Sequence, residues 1–145
     1  PDGVDKVTGR ANFGADFSLP GTIVGRVLRS PHAHARIVSI DTKKAGKLPG
    51  VLAIVTGADF PRVKSEEITG GEGGGDFKDL AINIMARDKV LYHGHAVAAV
   101  AATSAAAADA ALAAIKVRYE TLAPVMDIDA AMAPGAPLLS VARVA

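Results

Sequence analysis

Residues 96–120 read AVAAVAATSAAAADAALAAIKVRYE, and this stretch decides the fold that we expect. The first seven residues are small or β-branched and predict a strand that is central in its sheet. Thr103 or Ser104 then supplies an N-cap, and the run 105–114 has the highest helix propensity in the chain. Residues 115–120 alternate between apolar and charged side chains, which predicts a second strand. The order indicates a β-α-β crossover, right-handed if the two strands are parallel in one sheet.

Further elements are predicted on both sides of this stretch. Short runs of aliphatic and β-branched residues between Pro, Gly and Ser turns predict strands, and Asp or Thr before a polar run predicts a helical turn. We expect strands at 22–29, 35–40 and 51–56, short β segments near 81–85 and at 89–92, a helical turn over 43–47 and a short helix over 127–132. The glycine-rich run TGGEGGG at 69–75 predicts a mobile loop, since glycine loses the most backbone entropy on ordering. The predicted fold class is α/β (α+β): one domain over residues 1–145 with a mixed sheet, few helices and long loops.

The composition is that of a folded domain whose core consists largely of small side chains. Half of the 145 residues are apolar, but much of that half is alanine and only 4% are aromatic. Alanine buries little area, and burial stabilises by about 25 cal/mol per Å². We therefore expect modest stability and a domain that relies on neighbours for part of it. Pro1 and Ala145 both read as cuts in a longer polypeptide.

Charge and cysteine content exclude several classes of function. The 16 Lys and Arg residues nearly balance the 15 Asp and Glu residues, which gives no field for holding nucleic acid or an anionic membrane. Without cysteine the chain has no thiolate zinc site, no cysteine-ligated iron–sulfur cluster and no cysteine nucleophile. No apolar run reaches the roughly 20 residues that span a bilayer. We expect a cytoplasmic location, with which the absence of cysteine is compatible.

The loops and serines do not assemble an active site. Gly71 and Gly73 begin a G-x-G-x-x-G spacing, but Asp76 stands at the third glycine position, and neither a strong strand nor a helix is predicted around the loop. There is no Gly-Lys-Ser/Thr for a phosphate loop, no G-x-S-x-G elbow and no lysine in a carrier attachment turn such as Met-Lys-Met. A flexible connection is the favoured interpretation of the glycine-rich run.

The four histidines form two H-x-H pairs, His32 with His34 and His93 with His95. On a strand, residues i and i+2 point to the same face, so each pair could offer two imidazoles to one metal ion. Both pairs lie at the edges of predicted strands, and no Asp or Glu is placed as a partner for the rings. Hydrogen-bonding or interface histidines are the favoured interpretation, and an independent metal- or ligand-binding module is the alternative.

The order of short motifs along almost the whole chain is more specific than any one of them. The chain resembles the α/β hammerhead domain that begins the molybdopterin-binding subunit of the xanthine dehydrogenase/aldehyde oxidase family. The matching groups are Lys6-Val7-Thr8-Gly9-Arg10-Ala11 with Ala15-Asp16, Arg29-Ser30-Pro31-His32-Ala33-His34-Ala35-Arg36-Ile37, Ile40-Asp41, Pro49-Gly50-Val51, Val55-Thr56-Gly57-Ala58-Asp59, Asp88-Lys89-Val90-Leu91-Tyr92 with Gly94 and Val97-Ala98, and Val117-Arg118-Tyr119-Glu120.

This resemblance implies a division of labour within a larger oxidoreductase. In the complete enzymes a molybdenum–pterin centre hydroxylates a heterocycle or aldehyde with a water-derived oxygen, a glutamate acts as base, and electrons leave through iron–sulfur clusters, commonly to FAD. The cofactor loops and that glutamate lie in domains that follow this one, and none of their motifs matches a position here. The resemblance therefore implies an inactive structural and interaction domain. Its expected partners are the remaining molybdopterin-binding domains and the iron–sulfur and FAD domains or subunits.

No residue is assigned a catalytic, cofactor-binding or metal-binding role. The candidate interface or functional residues come from two of the motifs and are Arg29, Ser30, Pro31, His32, His34, His93, Gly94 and His95. One departure from the family pattern falls among them, because many members carry Gly-Gln where this chain has Gly94-His95. A histidine there changes the hydrogen-bond donors and brings a group that titrates near neutrality.

Overall fold

The computed structural model describes residues 2–17, 19–64, 67–68 and 75–138. Within these residues the chain forms four α-helices and eight strands, with 3₁₀ turns at Gly14–Asp16, Ala45–Lys47 and Gly57–Asp59. In chain order the helices and strands are α1 Gly3–Val7, β1 Val24–Arg29, β2 Ala35–Asp41, β3 Val51–Thr56, β4 Glu67–Ile68, β5 Gly75–Asp76, α2 Phe77–Ile84, β6 Lys89–Val90, β7 Ala96–Ala102, α3 Ala105–Ala114, β8 Lys116–Thr121 and α4 Ile128–Met132.

The first sheet has the strand order β1-β7-β3, with β7 antiparallel to both neighbours. The predicted central position of β7 is thus confirmed. α3 packs on one face of this sheet and begins after Ser104, whose hydroxyl accepts a hydrogen bond from the Ala107 N–H at 3.2 Å. Ala108 and Ala111 of α3 are fully buried against the sheet. Because these side chains are small, the helix packs closely but removes little apolar area per residue from water.

The second sheet has the order β6-β2-β8, again with antiparallel pairs only among the described strands. Its inward residues join a second buried cluster that includes Ala35, Val90 and Val97. Ile40 and Val117 pack against both clusters, so the two sheets share one continuous core.

The crossover joins the two sheets instead of returning to the first. The predicted α+β fold class is confirmed, and so are the strand, helix and strand of residues 96–120. The expected single mixed sheet is replaced by two three-stranded antiparallel sheets and a two-stranded antiparallel pair of β4 and β5. β1 and β3 already occupy both edges of β7, so β8 has no free edge there and pairs with β2. The condition for a right-handed crossover, two parallel strands in one sheet, is therefore not met.

The predicted β segment at 81–85 is wrong, since these residues belong to α2 and its C-cap. The side chain of Asp76 caps this helix by accepting from the Lys78 N–H at 2.7 Å. Four of the five apolar residues of α2 recur at the i, i+3, i+4 and i+7 positions of a helix face, namely Phe77, Leu80, Ala81 and Ile84. The alternation within 81–85 is too short to distinguish a strand from this period.

The remaining predicted elements differ only at their ends. The helical turn near 43–47 is a 3₁₀ turn over Ala45–Lys47, and the short helix near 127–132 is α4, capped by Asp127. Of the predicted glycine-rich loop, residues 69–74, which include Gly71 and Gly73, lie outside the described residues. Among the helices that the structure describes, none is long and apolar enough to cross a membrane.

Candidate functional site

Two turns carry all the residues selected from the sequence. Arg29 ends β1, and residues 30–34 form the turn that leads to β2. His93, Gly94 and His95 lie in the turn between β6 and β7. Because β1 and β7 are paired neighbours, the two turns lie side by side where these strands meet.

Backbone hydrogen bonds join the two turns beyond the last strand pair, Arg29 with Ala96. The Ser30 N–H donates to the His95 carbonyl and the Gly94 N–H donates to the Ser30 carbonyl, each at 2.9 Å. The Arg29 guanidinium donates to the Gly94 carbonyl at 2.8 Å. Gly94 has a φ of +85°, a left-handed conformation that favours glycine. The turns are therefore held as one unit by groups that face each other.

The His95 ring is fully buried and both of its nitrogens are engaged. Nδ1 accepts from the Leu91 N–H at 3.2 Å, and Nε2 donates to the Ile82 carbonyl of α2 at 2.9 Å. This pattern fits the neutral tautomer with its proton on Nε2, because an amide N–H only donates and a carbonyl only accepts. Tyr92 stacks on the ring with 4.4 Å between centroids. Burial lowers the pKa of His95, and the hydrogen bond to Ile82 opposes this effect.

Buried Ser30 and half-buried His32 and Tyr119 form a second contact beside the first. Ser30 is 2% exposed; its Oγ accepts from the His32 N–H at 3.0 Å and donates to the His32 carbonyl at 3.2 Å. The Tyr119 hydroxyl of β8 also hydrogen-bonds the Ser30 side chain. Burial raises the pKa of Tyr119, and the bond to Ser30 opposes that rise. The His32 and Tyr119 rings pack edge to face, with 4.9 Å between their centroids.

The other candidates lie further out. The His34 ring donates from Nδ1 to the Ala123 carbonyl at 2.9 Å. Pro31 and His93 are exposed. The structure therefore brings together Arg29, Ser30, His32, Gly94 and His95, and it leaves Pro31, His34 and His93 at the margin.

The geometry gives no support to a metal site built on the H-x-H pairs. Both pairs lie in turns, so the strand geometry that would align i and i+2 is missing. His95 has no free lone pair, since Leu91 occupies Nδ1 and Nε2 carries the proton. Across the described residues, no group of three or more His, Asp or Glu side chains could hold a metal ion.

Tyr119 is the residue of this cluster that the sequence did not single out. The alternation of 115–120 predicted only that Tyr119 lies on the same side of the strand as Ile115 and Val117. A hydroxyl at the end of an otherwise apolar strand face was the available signal, because a buried tyrosine hydroxyl needs a hydrogen-bond partner.

A cleft of about 430 Å³ lies elsewhere, between α2 and the segment that follows β3. Its walls are mainly apolar, and basic residues stand at its rim. One of them, Arg62, forms an ion pair with Asp88 at 3.4 Å. None of the candidates selected from the sequence lines this cleft.

Comparison with known proteins agrees with this architecture. Residues 8–123 match the family model described as aldehyde oxidase and xanthine dehydrogenase, a/b hammerhead domain. The carbon monoxide dehydrogenase large chain of Afipia carboxidovorans is 40% identical over 131 residues, which cover 90% of this chain and 16% of that protein. A probable xanthine dehydrogenase subunit of Bacillus subtilis is 40% identical over 136 residues, which cover 94% and 17%.

A solved structure gives the same result in three dimensions. The Cu,Mo-CO dehydrogenase in its carbon monoxide reduced state superposes with a TM-score of 0.78 at 34% identity, over 99% of this chain and 17% of the other. The chain thus spans about one sixth of the length of the proteins that it matches. With the family model matched over most of its length and two curated relatives at 40% identity, this chain belongs to the aldehyde oxidase and xanthine dehydrogenase family, as an a/b hammerhead domain.

Proposed function

We propose that this chain is the amino-terminal structural and interaction domain of the molybdopterin-binding subunit of a molybdenum-dependent oxidoreductase, and that it supplies no catalytic group. The observation that carries this proposal is the use of the candidate cluster for internal bonding. His95, the residue best suited to acid–base chemistry, is buried with both nitrogens bonded to backbone groups. A general base must instead present a free lone pair to a substrate.

The described part of the chain gives no support for a molybdenum–pterin site. A cofactor cradle leaves polar groups that await the ligand, yet among the described residues no buried side-chain nitrogen or oxygen lacks a hydrogen-bond partner. The chain also has no cysteine for an iron–sulfur cluster. We therefore assign the molybdenum–pterin cofactor to the remaining domains of the subunit, and the iron–sulfur clusters and FAD to partner domains or subunits.

The activity of the whole enzyme follows from the family. We propose hydroxylation of a heterocycle or aldehyde at the molybdenum centre, with this domain beside the cofactor domains as a scaffold. A cytoplasmic location remains part of the proposal, and cell fractionation would test it.

Metal analysis tests the proposal directly. The chain, produced without a histidine tag, is compared with the complete subunit encoded by the reading frame that contains it. We expect about one molybdenum per complete subunit and none in the isolated chain. One equivalent of molybdenum in the isolated chain would contradict the proposal, and so would a reading frame without a molybdopterin-binding subunit.

A further inference from the structure

The first sheet has a second face, opposite α3, whose two central rows consist only of small and apolar residues, with Arg29 at the end of β1 on the same side. α3 packs on the positions occupied by Val100, Ala102 and their neighbours, so alternate positions point the other way. The strand register arranges these alternate positions as two rows across the sheet, Gly25, Ala101 and Ala53 in one and Val27, Ala99 and Val55 in the next. We call these six residues the outer face of the first sheet.

None of these six residues is buried. Val97, the next alternate position of β7, is instead fully buried against Ala35 and Val90 of the second sheet, so the open part of the face ends there. Val27 is 42% exposed and Val55 is 36% exposed, although both lie within strands. Ile23, next to β1, is 52% exposed and continues the row on the same side by alternation. An apolar patch of this kind on a domain surface marks a place where another protein surface packs.

The composition fits a sheet that is covered on both faces. A strand with one face in water alternates between apolar and polar residues, whereas a strand buried on both faces reads as a continuous apolar run. β7 reads AVAAVAA without a polar residue. The glycine and alanines of the outer face also make a flat floor that another backbone can approach closely.

We propose that the outer face of the first sheet is the docking surface for the remaining part of the same subunit, which lays a layer of helix or strand across it. This inference rests on the proposed function. The identity of the occupant follows from length, since matched relatives continue for about five sixths of their chains beyond the part that this chain covers. As part of the same polypeptide, the rest of the subunit is present in one copy for each copy of the outer face.

Two matched valines test the proposal. Val27 lies on the outer face of β1, and Val38 is a strand valine of the second sheet with nearly the same exposure, 42% against 44%. Val27→Lys and Val38→Lys are each placed in the isolated chain and in the complete subunit. Both isolated variants should melt within a few degrees of the wild type, because a lysine at such positions reaches water.

In the complete subunit the two variants should differ. Val27→Lys should lower the recovery of assembled, molybdenum-containing subunit by about fivefold or more, since a charge is buried at the contact, while Val38→Lys should leave it unchanged. Val55→Lys on β3 repeats the test from the other edge of the face and should match Val27→Lys.

Three outcomes would overturn the inference. If both variants are recovered equally and the subunit carries molybdenum, the outer face is not a docking surface, while the proposed function is unaffected. If wild-type chain forms a dimer in light scattering and Val27→Lys is monomeric, the occupant is a second copy. A complete subunit without molybdenum would overturn the proposed function, and this inference with it.

Discussion

The two sheets have the same size and the same antiparallel order around a central strand, yet their outer faces are opposite in character. The two central rows of the first sheet present glycine, alanine and valine, with Arg29 at one end of β1. The second presents polar cross-strand pairs: Arg36 with Glu120, Ser39 with Arg118, and Asp41 with Lys116. The shared core explains one face of each sheet. The composition of the other face indicates what covers it, which is water for the second sheet and, in our proposal, protein for the first.

Between the sheets lies a junction of four residues: Gly57, Ala86, Leu91 and His95. Gly57 follows a strand of the first sheet, and Leu91 follows a strand of the second. Ala86 donates its N–H to the carbonyl of Ala96, where β7 begins, at 2.8 Å. The junction links the two sheets beside the core that they share through Ile40 and Val117, and the predictions with the largest effects concern its buried groups.

Replacing His95 should have the largest effect on stability. His95→Leu leaves the Leu91 N–H and the Ile82 carbonyl buried without partners, which should lower the free energy of unfolding by about 3 kcal/mol. His95→Gln should cost about 1 kcal/mol or less, because the amide offers one acceptor and one donor. Urea unfolding of the isolated chain measures both. His93→Leu, at the exposed neighbouring histidine, is the control and should change stability by about 0.5 kcal/mol at most. Equal losses for the Leu and Gln variants would show that the two backbone bonds do not matter.

Gly57→Ala should be the next largest change. An added Cβ would lie 2.5 Å from the Ala86 carbonyl oxygen and 2.8 Å from the Arg87 Cα. Backbone atoms cannot yield as a flexible side chain does, so the turn after β3 must move away from residues 86 and 87, at a cost of about 2 kcal/mol. Gly25→Ala on the outer face of the first sheet is the matched control, since nothing lies within 4 Å of its Cβ position. Thermal unfolding should show a clear loss for Gly57→Ala only, and a wild-type melting temperature for Gly57→Ala would contradict the close approach.

The stability of the folded chain should fall as the pH is lowered, because folding favours the neutral form of His95. Burial holds the folded-state pKa of His95 below the ordinary value of histidine, about 6.5, so as pH falls through that value the unfolded chain takes up a proton first. Its contribution to stability is therefore fully present above that pH and declines toward the lowered folded-state pKa. Urea titrations from pH 8 to pH 5 should show a steeper loss for the wild type than for His95→Gln, which has no ring to protonate. Parallel curves would mean that His95 is not the group responsible.

The smallest effect should come from the outer face of the second sheet. Arg36 Nε lies 3.0 Å from Glu120 Oε2, but both side chains are more than half exposed. Such pairs are screened by water and salt, so Glu120→Gln should lower the free energy of unfolding by about 0.5 kcal/mol or less. The unfolding free energies of the wild type and of Glu120→Gln should differ slightly at low salt and become equal at high salt. A loss above about 1 kcal/mol would mean that this face is less open to water than its exposure indicates.

The site was predictable only in part. The motifs selected Arg29, Ser30, Gly94 and His95, which the structure brings together, but they also selected His34 and His93, which lie at its margin. The H-x-H spacing would place two imidazoles on the same face only if both pairs lay on strands, and both pairs lie in turns instead. The turns direct His32, His34 and His95 to different partners, which are Tyr119, the Ala123 carbonyl and the Ile82 carbonyl. These partners are distant in sequence from the histidines that they contact.

The sequence by itself determined the elements whose signals are local. The alternation of 115–120, the alanine run of α3 and its Ser104 cap depend on residues a few positions apart, and the structure confirms them. The helix over 77–84 also has local signals, the Asp76 cap and the period of its apolar residues. Only the tertiary structure decided which sheet each strand joins and why Gly57 must be glycine. Each of these depends on contacts between segments far apart in the chain, so neither residue type nor spacing along the sequence encodes them alone.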